Sequence, residues 1–449
     1  MLYDDPTALL DDDDITYNNE TRRQQAFNQG RNWLYKNPHF SLIHVEKHND
    51  DTVTMTMMNV TTTDTTRRQQ LQEQGYYCLS HLWGRDARDY MWDDSGILTE
   101  KANLNDDDGG GAVLAPAVPM RIEKRATLLA LLKQNPGFWW IDVFCARVDT
   151  PLRIMGSIYK YCTACFAMMD CTFQTLRQLD QGLPSLMQEV STHFPTKKRS
   201  SHRLPIMIGY IDEEEEVDED KALLFKTILD KYPTEVQALL DLTESAWFTR
   251  VWTLQEAVLP RQLFMVPETQ PSRELDTLDF SLVQKVSERL TTVGNAIMKG
   301  TSSKILNNIM EGTSSKILTD QHAHLIQQLE THVQEITVAQ ETYKQADALD
   351  EHDRLPCLQS TLHKFAESTR TCTDPVDFVY GVIGLLDIGL PRMDNAHQVW
   401  EAFQGKFRDM RVKQLDLHFY SVCKSAPFDL SQAKTMRTVY SSFIREMNL

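Results

Sequence analysis

At 449 residues the chain is longer than one ordinary hydrophobic core, and two or three domains are expected. Its 46 basic against 63 acidic side chains leave a net charge of −17, which argues against a nucleic-acid-binding role. No apolar run reaches the length of about 18 residues that a membrane span requires, and 8 cysteines are too sparse for a disulfide framework, so a reducing, cytoplasmic setting without a secretory leader is expected.

Taken in chain order, residues 1–36 form an acidic, partly disordered lead-in, with one helix expected near 22–35. Residues 37–75 hold two strands, 40–45 and 53–60, and a polar connector at 61–73. Residues 76–84, Tyr76-Tyr77-Cys78-Leu79-Ser80-His81-Leu82-Trp83-Gly84, start as a strand and stop at a glycine. The acidic, Gly-rich stretch 106–111 lacks the spacing of a phosphate-binding loop and reads as a linker. A helix is predicted over 120–133, with Ile122, Ala126, Leu129 and Leu132 on one face.

Residues 138–145, Phe-Trp-Trp-Ile-Asp-Val-Phe-Cys, organise the chain. The spacing predicts a strand over 138–144, buried on both faces of a parallel sheet. A carboxylate is costly inside such a strand, which puts Asp142 near its C-terminal end, where open α/β sheets bind ligands. The alternative is a helix cap or a loop ion pair. A helix follows, with Pro151 in its first turn and Ile154, Met155, Ile158, Tyr159 and Cys162 buried. Residues 164–169 form the next strand. The alternation predicts an α/β domain over 76–267 with crossover helices.

Residues 173–190 read as a helix interrupted at Gly182 and Pro184, and 204–211 as a strand. Residues 212–220 carry 8 acids in 9 positions and read as a solvated loop. Helices are expected at 221–229 and 235–242, one further helix over 247–256, and a closing strand at 263–266. Beyond this, 268–355 is helical and contains a tandem copy of twelve residues across 297–320, too short for a solenoid. A helix is expected over 322–347, with Leu325, Leu329, Val333 and Ile336 along one side. Residues 356–449 form a helical C-terminal region, with a short helix in 372–386 ending at Gly384 or soon after.

Cys162, Cys165 and Cys171 lack a second ligand pair, so buried thiols are expected and no metal. Ser80 and His81 are adjacent on a strand and point to opposite faces, which excludes a nucleophile–base dyad. The polar groups left at strand ends and on the 247–256 segment are Ser80, Asp142, Cys145, Arg250 and Glu256. An internal ion-pair lock and a ligand site are both open for them.

These residues carry a resemblance. Leu79-Ser80-His81-Leu82-Trp83-Gly84 resembles the opening motif of the fungal heterokaryon incompatibility (HET) domain, Leu-Ser-Tyr-x-Trp-Gly, with His81 in place of Tyr. Trp140-Ile141-Asp142-Val143-Phe144-Cys145 resembles the second motif, although Ala146-Arg147-Val148 replaces its Ile-x-Gln. Met155-x-x-Ile158-Tyr159 resembles the following element, Arg250-x-Trp252-Thr253-x-Gln255-Glu256 the third motif, and 374–386 a segment that often follows, with Val376 where Arg is usual. The resemblance implies a TIR-like parallel sheet flanked by helices, intracellular signalling in non-self recognition and programmed cell death, and self-association or protein partners. It also implies candidate NAD hydrolysis, with NAD as substrate and no cofactor. Glu256 and Asp142 would then be the catalytic carboxylates, with Ser80, Trp83, Cys145, Arg250 and Trp252 around the substrate. The competing expectation is a non-enzymatic, self-associating module with a helical partner-binding region.

Overall fold

In a computed structural model, the structure describes residues 12–49, 52–82, 91–92, 97–99, 113–114, 118–121, 123–147, 149–195, 219–269, 275, 277–308, 318–349, 354–415, 428–447 and 449. Six strands frame the site: β1 (Ser41–Lys47), β2 (Val53–Asn59), β3 (Tyr77–His81), β4 (Gly137–Ile141), β5 (Ala164–Thr172) and β6 (Leu263–Thr269). β4, β3, β5 and β6 run parallel, in that spatial order. β1 pairs antiparallel with β4 and with β2, and the short strands Ile97–Thr99, Val113–Leu114 and Leu278–Asp279 extend the edges. The fold is therefore α/β with a mixed sheet whose centre is parallel, followed by a helical C-terminal region. β1 and β2, which the sequence sets in a separate N-terminal part, hydrogen-bond into the same sheet as β4.

The central strands read as apolar runs because helices cover both of their faces. Cys78, Leu79, Trp139, Trp140, Ile141 and Cys165 are all buried. Tyr77, Trp139 and Phe166 make tilted and edge-on ring contacts across β3, β4 and β5, with Tyr77 and Trp139 centroids 5.0 Å apart. Parallel pairing brings the C-terminal ends of these strands to one edge, and the polar residues of the sequence gather there.

Several expectations change. The 138–144 strand ends at Ile141. The Asp142 side chain accepts the Val143 N–H at 2.7 Å, and Asp142–Cys145 form one helical turn. The 120–133 helix spans Lys124–Gln134 and buries Lys124, Thr127, Leu128, Leu131 and Leu132. Ala126 is exposed and Leu129 half-buried, because the inward-drawn Lys124 rotates the face away from the expected stripe. The helix Phe173–His193 is continuous through Pro184. Gly182 serves instead to admit the Glu235 side chain, since a Cβ there would meet its carboxyl group.

The 247–256 segment is not one helix. A 3-10 turn, Ala246–Thr249, is followed by extended backbone at Arg250 (φ −90°, ψ 141°) and then by the helix Thr253–Val258. The Val251 N–H bonds the Thr371 carbonyl and the Thr371 N–H bonds Thr249, so these groups are satisfied from outside the segment. Trp247, Val251 and Leu254 are buried nonetheless, which is why helical spacing fitted a broken segment. Residues 374–386 form two short helical turns, Asp377–Tyr380 and Ile383–Leu386, instead of one helix, and the second ends at Leu386, soon after Gly384. The 61–73 connector carries a helix, Thr65–Gln74, capped by Asp64. Trp83, the 106–111 linker, Ile122, the 204–211 strand, acids 212–218 and most of the second tandem copy lie outside the described residues.

Leu325, Leu329, Val333 and Ile336 are all fully buried along Asp320–Ala348, which passes through a π-helical stretch at Leu329–Gln334. The C-terminal helices Leu355–Phe365, Ala396–Leu415 and Met436–Met447 meet in an aromatic cluster of Phe365, Trp400, Phe403, Tyr440 and Phe443.

Candidate functional site

Ser80 and His81 are the last two residues of β3, and Asp142 follows β4 directly. Alternation along β3 sends the two side chains to different partners. The Ser80 hydroxyl accepts the Trp247 indole N–H at 2.7 Å and donates to Glu256 Oε2 in a short hydrogen bond. The His81 ring bonds Asp142 Oδ1 through Nε2 at 2.8 Å and the Leu82 carbonyl through Nδ1 at 3.2 Å. Both ring nitrogens thus face oxygen atoms at the sheet edge.

Glu256 lies in the Thr253–Val258 helix and is 7% exposed. Burial pushes its carboxyl up to about 7 from an ordinary 4.5. The Ser80 hydrogen bond opposes this, the negative charge of Asp142 adds to it, and Arg250 and a Tyr159 hydrogen bond pull the other way. Asp142 and Glu256 are close enough to repel one another. Tyr159, fully buried on the Met155–Lys160 helix, is held un-ionised by burial and then by these two carboxylates. A buried carboxyl raised toward neutrality within the field of a second acid marks a candidate site for proton transfer or cation stabilisation.

The edge continues past His81. Leu82 O also accepts from Lys124 Nζ, which is fully buried, and Lys124 bonds Glu268 of β6 at 2.7 Å. Arg121 bonds the same carboxylate. One polar chain therefore runs from Glu268 through Lys124, Leu82 and His81 to Asp142, across the ends of β6, β3 and β4.

The structure joins Ser80 to Glu256 by a hydrogen bond, and Asp142 acts on Glu256 through its charge. Arg250 is half-buried and acts on Glu256 through its charge. Trp252 is half-buried and hydrogen-bonds the Asp377 carboxyl, which burial raises to about 6. Cys145 is buried beneath the turn. Its sulfur accepts the Ile141 N–H at 3.5 Å, its thiol lies 3.8 Å from the Trp139 carbonyl, and burial pushes it up to about 12. That thiol closes the end of β4. Cys162 and Cys165 are buried free thiols, and Cys171 is half-buried.

Sequence reasoning missed His81, Lys124, Trp247 and Tyr159 as members of this constellation. For His81 the available signal was its strand-end position, in the slot where the resembling motif carries another hydrogen-bonding ring. For Trp247 and Tyr159, core packing described the rings correctly and concealed the polar atom at each tip.

Comparisons with curated proteins and with solved structures return no match. Residues 76–256 match the family model described as Heterokaryon incompatibility protein (HET), over a span that opens beside β3 and closes on Glu256.

Proposed function

We propose that this chain is an effector of fungal non-self recognition and programmed cell death, acting by hydrolysis of NAD. The family match supports the setting. The observation that carries the chemistry is the buried Glu256 carboxyl, hydrogen-bonded by Ser80 at the C-terminal end of β3 and raised toward neutrality by burial and by the charge of Asp142. In the reaction the bond between the ribose C1′ and the nicotinamide nitrogen breaks, and nicotinamide leaves neutral with the electron pair. Water adds to C1′ and gives up a proton, yielding ADP-ribose. The ribose passes through an oxocarbenium-like state, which an ionised carboxylate stabilises by its charge and by hydrogen bonds to the ribose hydroxyls. Glu256 takes this role and Asp142 is the second carboxylate. Ser80 and Arg250 orient the sugar and Trp252 offers a ring face. A relation of the sheet to the TIR-like fold belongs to the same proposal.

The burial of Glu256 and its engagement by Ser80 and Tyr159 favour a second reading. In it the same residues lock a non-enzymatic module that self-associates, and the C-terminal helices bind a protein partner. Nicotinamide release separates the two. The purified chain at high concentration is expected to release nicotinamide from NAD, and Glu256→Gln is expected to abolish both the release and killing when the chain is expressed in a fungal host. Intact NAD together with undiminished killing by Glu256→Gln would overturn the enzymatic reading.

A further inference from the structure

The backbone break at Arg250 sets the direction of the helix that carries Glu256, and the groups that stabilise it come from the C-terminal region. Arg370 is 1% exposed. Its Nη1 donates to the Arg250 carbonyl at 2.7 Å and to Thr253 Oγ1 at 3.0 Å. Its Nε donates to Glu335 Oε2 at 3.0 Å, and Glu335 is itself mostly buried on the Glu335–Ala348 helix. The single Thr253 hydroxyl hydrogen is shared as a donor between the carbonyls of Trp247 and Arg250. One guanidinium thus clamps the carbonyl before the helix and the first residue of the helix, three residues from Glu256. Next to it, Thr371 pairs with Thr249 and Val251. Residues 335, 370 and 371 all lie beyond the 76–256 span of the family match.

We infer that Arg370, fixed by Glu335, is a positioning residue for Glu256, so that the helical C-terminal region completes the site. This rests on the reading of Glu256 as the acting carboxylate. A buried guanidinium bonded to a carbonyl, a hydroxyl and a carboxylate is held in one geometry by its planar fork. An ammonium cannot span the same three acceptors. Loss of the clamp lets the Arg250 turn relax and the Thr253–Val258 helix shift, and a displacement of about 1 Å at a reacting group costs about a hundredfold in rate. Arg370 touches no reacting atom, so substrate affinity is largely spared.

The test uses the whole 449-residue chain as wild type, Arg370→Met and Arg370→Lys, the lysine serving if the methionine variant does not fold. Two readings are taken: kinetics of nicotinamide release, and titration of the Glu256 carboxyl by carbon-13 NMR, assigned with Glu256→Gln. The expected result in folded variants is a fall in kcat of about a hundredfold with KM within about threefold of wild type. The Glu256 midpoint is expected to fall by about one pH unit as water reaches the carboxyl. Folded variants with the wild-type midpoint and kcat would overturn the inference. A wild-type chain that releases no nicotinamide, but whose Glu256 midpoint moves in Arg370→Lys, removes the proposed reaction and leaves the positioning role standing.

Discussion

Replacing Glu256 by Gln makes stability and chemistry move in opposite directions. In the unfolded chain the carboxyl titrates near 4.5, and in the folded chain near 7. An acid whose folded value is raised contributes fully below the unfolded value and loses that contribution as pH rises through the folded one. The difference of about 2.5 pH units corresponds to about 3 kcal/mol at pH values above both. Gln is close in shape and uncharged, and its carbonyl oxygen still accepts the Ser80 hydroxyl. Relative to wild type, Glu256→Gln is therefore expected to gain about 3 kcal/mol between about pH 4 and about pH 8. Urea unfolding with linear extrapolation at both pH values measures this, provided the m-values agree. Contributions from Asp377 and His332 are common to both proteins and cancel. Parallel stability–pH curves for the two would show that Glu256 is not held near neutrality, and the reasoning about its tuning would fail.

Lys124→Met leaves the Leu82 carbonyl and much of the Glu268 charge without its buried partner, and is expected to lower stability by about 3 kcal/mol in chemical denaturation; a change below about 0.5 kcal/mol, ordinary for an inert position, would contradict the buried network. His332 is lowered from 6.5 to about 4, by burial and then by Arg370, so its contribution is present above pH 6.5 and is lost as pH falls through 4. His332→Phe is expected to remove about 3 kcal/mol of acid destabilisation across that window, seen as a flatter acid limb in thermal melts; an unchanged limb would refute the assignment. At Gly384 a Cβ would sit 2.7 Å from the Cα of Gly156 and 2.8 Å from Gln255 Oε1, whereas at Gly389 it would meet nothing within 4 Å. Gly384→Ala is expected to cost about 2 kcal/mol or more and Gly389→Ala little, and equal melting temperatures would show that the 374–386 segment does not pack as described.

The apolar runs at 77–81 and 137–141 and the acid at 142 were legible because a strand buried on both faces has few alternatives, and a carboxylate must leave it at an end. Glu256, Ser80 and Arg250 were singled out through motif order. What was hidden depends on contacts between distant residues. Arg370 reaches a carbonyl 120 residues away, and no local pattern marks it. The pairing with Thr371 breaks a segment whose apolar spacing is helical, so period alone could not reveal the break. Lys124 turned its helix because Glu268 and Leu82 draw an ammonium inward, against the rule that places Lys on the solvent face. His81 was set aside by the correct argument that it cannot pair with Ser80, and its partner across the sheet edge was Asp142.

The pH profile of nicotinamide release by wild type and Asp142→Asn tests most directly whether two coupled carboxylates form one reacting centre. Release by wild type is expected to rise through about pH 7 as Glu256 ionises, and the midpoint in Asp142→Asn to lie lower, because a repelling charge has been removed. Release that is absent at every pH, or identical midpoints in the two proteins, would contradict it.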